Sequence, residues 1–200
     1  EKTKVSTNAL AERLETKESS ATDMLQKLEA KELINYQKYK GCNLTEEGER
    51  IAMQIIRKHR LWETFLVNKL SFGWDEVHDV AEQLEHIQSV KLIDSIDQFL
   101  DFPKFDPHGD PIPDKDGNIS YQESKINLSE SSINTKVEVV SVNEDSLALL
   151  KHLDDIGLKI GSEIIVKSRV AFDESMQVTI DGCEQISLSK KVSENIGVRF

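Results

Sequence analysis

The chain has 200 residues, 38% hydrophobic and 30% charged, the composition of a folded soluble protein rather than a disordered one. No apolar run approaches the roughly 18–20 residues that cross a bilayer, and no charged-then-apolar leader opens the sequence. With two distant cysteines, Cys42 and Cys183, this points to a reducing, cytoplasmic setting without a membrane partner. The net charge of −11 is unevenly spread: residues 4–40 hold seven basic and six acidic residues (+1), residues 73–116 three basic and twelve acidic (−9). The acidity lies where a cation would be wanted.

In chain order, Ser6 is expected to cap a short helix through Leu14. The polar turn Glu15–Glu18 follows, and Ser19 is expected to cap a second helix. Ala21, Leu25 and Leu28 form its core stripe. Ser20, Thr22, Asp23 and Lys27 lie on its opposite face. Residues 33–44 read as strand, glycine turn, strand, with Lys38, Tyr39 and Lys40 at the tip. Thr45 followed by Glu46 and Glu47 starts a helix to about Leu70. Further helices are expected at Asp75–Ser89 and Val90–Leu100, the latter with Val90, Ile93, Ile96 and Leu100 on one face. Residues 102–119 hold all four prolines and read as irregular, and residues 119–134 as a polar linker. Then the pattern turns to β: strands at 136–142, 163–169, 177–180 and 196–200, with a helix at 145–156, suggest a small barrel.

Two helices interrupt their own periodicity with metal-ligating residues. His59 and Glu63 stand at i, i+4 in the long helix, where the stripe Ala52, Ile55/Ile56 and Leu66 calls for apolar side chains. A buried imidazole and carboxylate are costly unless paired or bound to a cation. In the next helix His78, Glu82, Glu85 and His86 fall within an arc of roughly 100° at about 100° per residue. Six nitrogen and oxygen donors without a thiolate favour Mn²⁺ or Fe²⁺, with Zn²⁺, Co²⁺ or Ni²⁺ as surrogates. A His-Glu pair at this spacing is also a common surface ion pair, and Glu82 with Glu85 a common solvated face.

Enzyme templates fit poorly. There is no His-Glu-x-x-His, no glycine-rich phosphate loop and no nucleophile elbow. The reading is a non-enzyme in which the cation changes conformation. A metal-dependent hydrolase, with the β-region as substrate module, is the alternative; a metal-buffering protein without DNA binding is the third reading.

The segments Arg57-Lys58-His59-Arg60-Leu61-Trp62-Glu63 and Val77–His86 resemble the diphtheria toxin repressor family of iron- and manganese-dependent transcriptional regulators. So do His108-Gly109-Asp110-Pro111-Ile112-Pro113, the Ala11–Leu14 helix, the hairpin and Leu153–Ser162. The resemblance covers almost the whole chain. It implies a multidomain chain, α then β: a winged helix-turn-helix over 1–44, an all-α metal-binding and dimerisation domain over 45–118, a linker over 119–134, and an SH3-like β-barrel over 135–200. It further implies that His59, Glu63 and His78 match an ancillary metal site, and Glu82, Glu85 and His86 the primary, activating one. Glu82 stands where iron-responsive members carry Cys, which favours manganese, whereas His78 is an iron-type feature. Some members add two ligands from the β-domain, and Glu144 and Asp145 lie near that place.

Family members begin with a further helix that contributes primary-site ligands, and the sequence starts at Glu1, just before the first helix of the helix-turn-helix. The primary set is therefore expected to lack at least one protein ligand. The implied partners are a second copy, with Val90–Leu100 at the two-fold interface, and a pseudo-palindromic double-stranded DNA operator. Ser19, Ser20, Thr22, Asp23 and Lys27 are the candidates for the groove, and Lys17, Lys38 and Lys40 for phosphate.

Overall fold

A computed structural model describes residues 4–119, 124–142, 147–183 and 185–200. The chain forms two compact units, one of residues up to Ile56 with Lys115–Asn118, the other of Arg57–Asp114 with Ile119–Phe200.

The first unit opens with α1 (Thr7–Arg13), where the Ser6 hydroxyl accepts a hydrogen bond from the Ala9 N–H, as its sequence predicts. The second helix, α2 (Glu18–Ala30), starts one residue before the expected cap. Lys17 holds the cap position without a side-chain bond, and Ser19 lies inside the first turn. An acidic residue, Glu18, then sits at the positive end of the helix dipole. Leu25 buries against Ile34 and Cys42 of the hairpin β1 (Ile34–Gln37) and β2 (Gly41–Leu44), and Ala21 is also buried. Val5 bridges Cys42 as an added edge. Gly41 permits this: its φ is +89°, and a Cβ there would lie 2.2 Å from the Val5 carbonyl oxygen.

Helix α3 (Glu46–Leu70) begins in the first unit and continues into the second. The Thr45 hydroxyl accepts from the Gly48 N–H at 3.0 Å, and three glutamates occupy the first turn. In the second unit Leu61 and Trp62 of α3 bury against Ala81 of α4 (Val77–Leu84) and against Ile93 and Ile96 of α5 (Val90–Phe99). The helix expected over Asp75–Ser89 is therefore shorter at both ends, and Glu85 and His86 form a turn beyond it. At the far end Ser89 caps α5, its hydroxyl accepting from the Leu92 N–H, so one helix cannot run through to it. Val90, placed on the apolar stripe by periodicity, is 74% exposed.

The rest of this unit is a sheet in the order β3-β8-β4-β5-β6-β7, every pairing antiparallel. Its strands are β3 (Ile126–Asn127), β4 (Lys136–Val142), β5 (Glu163–Arg169), β6 (Met176–Ile180), β7 (Gln185–Leu188) and β8 (Ile196–Arg199), with α6 (Leu147–Asp155) and α7 (Lys190–Glu194). Alternating residues such as Val137, Val139, Ile164, Val166 and Val178 fill its core. Within the expected linker, β3 pairs β8, and Leu128 in the following 3-10 turn is fully buried in the sheet's core. One apolar residue per turn gave no periodic signal there. Strand β7 and helix α7 were too short to show one.

The proline-rich segment is a tied loop rather than a loose one. Phe105 bridges Pro111, and one Asp106 oxygen accepts from the backbone N–H of His108 at 2.8 Å and of Asp110 at 3.0 Å. The His108 carbonyl accepts from the Val142 N–H of β4 at 2.9 Å. Gly109 has φ +83°, and a Cβ there would sit 1.9 Å from the Val140 carbonyl oxygen. Gly109→Ala should therefore cost about 2 kcal/mol or more, read as a melting-point drop of several degrees. An unchanged melting point would contradict this close approach.

Candidate metal centre

Four glutamate and histidine side chains converge from three elements. Glu63, on the inner face of α3, is 3% exposed. One turn earlier, His59 Nε2 lies 3.0 Å from Glu63 Oε1, the geometry that i, i+4 spacing on a helix predicts. From α4, His78 Nδ1 stands 3.2 Å from His59 Nε2 and 3.6 Å from Glu63 Oε1. The second carboxylate oxygen of Glu63 faces His108 Nδ1 at 3.8 Å. His108 is oriented from behind, since its Nε2 donates to the Trp74 carbonyl at 2.8 Å and its ring stacks on the Trp74 indole at 6.0 Å. Two donor sets result, His59–Glu63–His78 and Glu63–Asp106–His108, each with ligand atoms within 4.8 Å of one another. Glu63 belongs to both.

The sequence-derived ligands divide accordingly. His59, Glu63 and His78 come together as expected. Glu85 reaches the same place, its Oε2 2.8 Å from His59 Nδ1, although the resemblance assigned it to the other site. Glu82 and His86 are exposed and enter neither donor set. Glu144 and Asp145 lie outside the described residues. Asp106 and His108 are the additions that pattern reading missed. Their spacing, Asp-Pro-His-Gly, follows no helical period, and only the loop closure described above turns both inward. Arg60 supports that loop from α3, with Nη1 donating to the Pro111 carbonyl at 2.5 Å, Nη2 to Asp110 at 3.1 Å, and Nε 3.4 Å from Asp106.

In the first unit Ser19, Ser20, Asp23 and Lys27 are exposed on α2, as are Lys17, Lys38 and Lys40 around it. Thr22 is half-buried, its hydroxyl donating to the Glu18 carbonyl.

Protonation at the centre follows from burial set against pairing. Burial raises the Glu63 carboxyl, but the facing His108 and His59 outweigh it and hold the group at about 2. Burial lowers His108, yet Glu63, the Trp74 carbonyl and Asp106 lift it to about 9. Burial pushes His59 down, while Glu63 and Glu85 together raise it. Asp106 is raised to about 6, mainly by desolvation. Without a cation the imidazoliums supply the positive charge that Glu63 needs. The donors are imidazole nitrogen and carboxylate oxygen without sulfur, and their spacing suits an ion with bonds of about 2.0–2.3 Å. The residues fit a divalent first-row cation.

His108 is charged more readily in the folded chain than in the unfolded one. Its stabilising share is complete below about 6.5 and disappears as pH rises through about 9. Metal-free protein should thus lose stability between pH 7 and 9.5 in calorimetric scans. The His108 ring resonances should titrate near 9 by NMR; titration near 6.5 would contradict the pairing.

Three family models match in succession: "Iron dependent repressor, N-terminal DNA binding domain" over residues 1–42, "Iron dependent repressor, metal binding and dimerisation domain" over 45–114, and "FeoA domain" over 126–200. The chain is 30% identical over 131 residues to the HTH-type transcriptional regulator MntR of Oceanobacillus iheyensis, covering 66% of this chain and 82% of that one. It is 42% identical over 71 residues to a probable metal transport system membrane protein of Chlamydia trachomatis; that match covers 36% of this chain and 16% of the relative. A solved manganese-dependent transcriptional repressor in complex with manganese superposes with a TM-score of 0.87 at 36% identity, over 99% of this chain and 92% of that one. The chain belongs to the diphtheria toxin repressor family of metal-dependent transcriptional regulators.

Proposed function

We propose that this chain is a cytoplasmic, metal-dependent transcriptional repressor, not an enzyme, whose affinity for operator DNA is set by divalent cation held at the activating set Glu82, Glu85 and His86 and supported by the adjoining centre on Glu63. The observation that carries this is a carboxylate buried in α3 and faced by histidines from α3, α4 and the 104–112 loop. His59, Glu63 and His78 hold one cation and Glu63, Asp106 and His108 a second, while Glu82, Glu85 and His86 supply the activating set. Glu85 is shared, because it already rests on His59. The hard donor Glu82 and the likeness to a manganese repressor favour Mn²⁺, with Fe²⁺ next. Bound cation supplies the positive charge that lets these carboxylates approach one another without imidazolium. The chain's own part is to yield the His59 and His108 protons and to hold α3, α4 and the loop in one arrangement.

Residues 1–44 serve as the winged helix-turn-helix and 45–118 as the metal-binding and dimerisation segment. Val90, Phe99 and Phe102 are exposed at and beyond α5, an apolar surface suited to a two-fold contact with a second copy. Such a homodimer presents two copies of α2 to a pseudo-palindromic operator, with Ser19, Ser20, Thr22, Asp23 and Lys27 toward the groove and Lys17, Lys38 and Lys40 toward phosphate.

Electrophoretic retardation of duplex DNA with Mn²⁺, Fe²⁺ or Zn²⁺, and with chelator, tests the switch; equal affinity with and without cation would sink it. Because Glu63 serves two donor sets, Glu63→Ala should weaken Mn²⁺ binding by about 100-fold, measured by calorimetric titration. Trp74 stacks on His108, so its fluorescence should change on Mn²⁺ addition and stay constant in His108→Ala; an identical response in both would remove His108 from the ligand set.

A further inference from the structure

The last turn of α4 is charged the wrong way for a helix end. Backbone carbonyls present partial negative charge there, yet the turn holds Glu82, with Glu85 at the cap, and no basic residue. The missing positive charge comes from a neighbouring helix. Lys58 of α3, half-buried, donates from Nζ to the Glu85 carbonyl at 3.0 Å. The next residue of α3, His59, holds the carboxylate of the same glutamate, its Nδ1 2.8 Å from Glu85 Oε2. Two successive residues of one helix therefore grip Glu85, one by its backbone and one by its side chain. From within the turn, the Ile87 N–H donates to the Leu84 carbonyl at 3.1 Å.

An ammonium that takes a backbone carbonyl leaves that residue's carboxylate to other partners. We propose that Lys58 is a positioning residue of the activating set: by docking the end of α4 on α3, it holds the turn that carries Glu85 and His86 in place before the cation arrives. This rests on the reading of Glu82, Glu85 and His86 as that set, and adds to it a residue that touches no ion. A turn already ordered spares the cation the cost of ordering it. The bare charge of Lys58 acts the other way, since it repels an incoming cation. Loss of the side chain thus weakens binding if it positions the turn and strengthens binding if only its charge is felt.

Calorimetric Mn²⁺ titration of the chain separates the two, followed at the binding step that Glu82→Gln removes. Lys58→Met, which keeps the apolar stem, should weaken that step by about tenfold and leave the steps that Glu63→Ala removes unchanged. Lys58→Arg, which keeps charge and donors, should restore it. In metal-free protein, hydrogen exchange at the Ile87 N–H should quicken in Lys58→Met and return to the wild-type rate in Lys58→Arg. Unchanged or tighter Mn²⁺ binding in Lys58→Met, or equal weakening of every step, overturns the proposal. If Glu82→Gln removes no step, the activating-set reading fails first and takes this proposal with it.

Discussion

A carboxylate that is almost inaccessible to water must be given positive charge by its neighbours, and much of the second unit answers that demand at Glu63. The nearest donor, His59, comes from the same helix. The others arrive from α4 and from a loop more than forty residues on, so the charge ties distant chain segments to one point. The arrangement is satisfied without metal, through imidazolium, and its donors also suit a divalent ion. A centre stable in two charge states is what a sensor needs, because the cation then replaces protons rather than filling a void.

The loop that carries Asp106 and His108 shows how this centre is braced. Asp106 closes the loop on itself, Arg60 grips it at three points from α3, and the His108 backbone joins β4. The metal-ligand helices and the β-domain belong to one compact unit for this reason, with Trp74 packed against the sheet's core while holding His108. The β-domain thereby contributes to the position of a ligand, through the backbone bond from Val142 and through the packing of Trp74.

Legibility in the sequence followed the range of the determining interaction. His59 with Glu63 is a local event on one helix, visible as two polar residues on an apolar stripe. The strands at 136–142 and 163–169 were visible because alternation persists over seven residues. Asp106 and His108 carried no period, and their inward turn depends on Arg60, forty-six and forty-eight residues upstream. The early end of α4 was equally hidden: Val77–His86 reads as one amphipathic run, and the Ser89 cap competes for its tail. That competition takes Glu85 and His86 off the regular helix. From that turn the Glu85 side chain reaches back to His59, a contact that helical spacing alone does not suggest.

Glu63 offers one oxygen to each donor set. On the proposed reading, two ions drawn to opposite sides of one carboxylate would share its charge, so the second would meet a weaker attraction than the first but a loop already in place. The response of such a centre to rising cation would not be the sum of two independent saturation curves. Its steepness and its threshold would then be properties of a single side chain, and a cell's set-point for the metal would be tuned most directly by whatever surrounds that carboxylate.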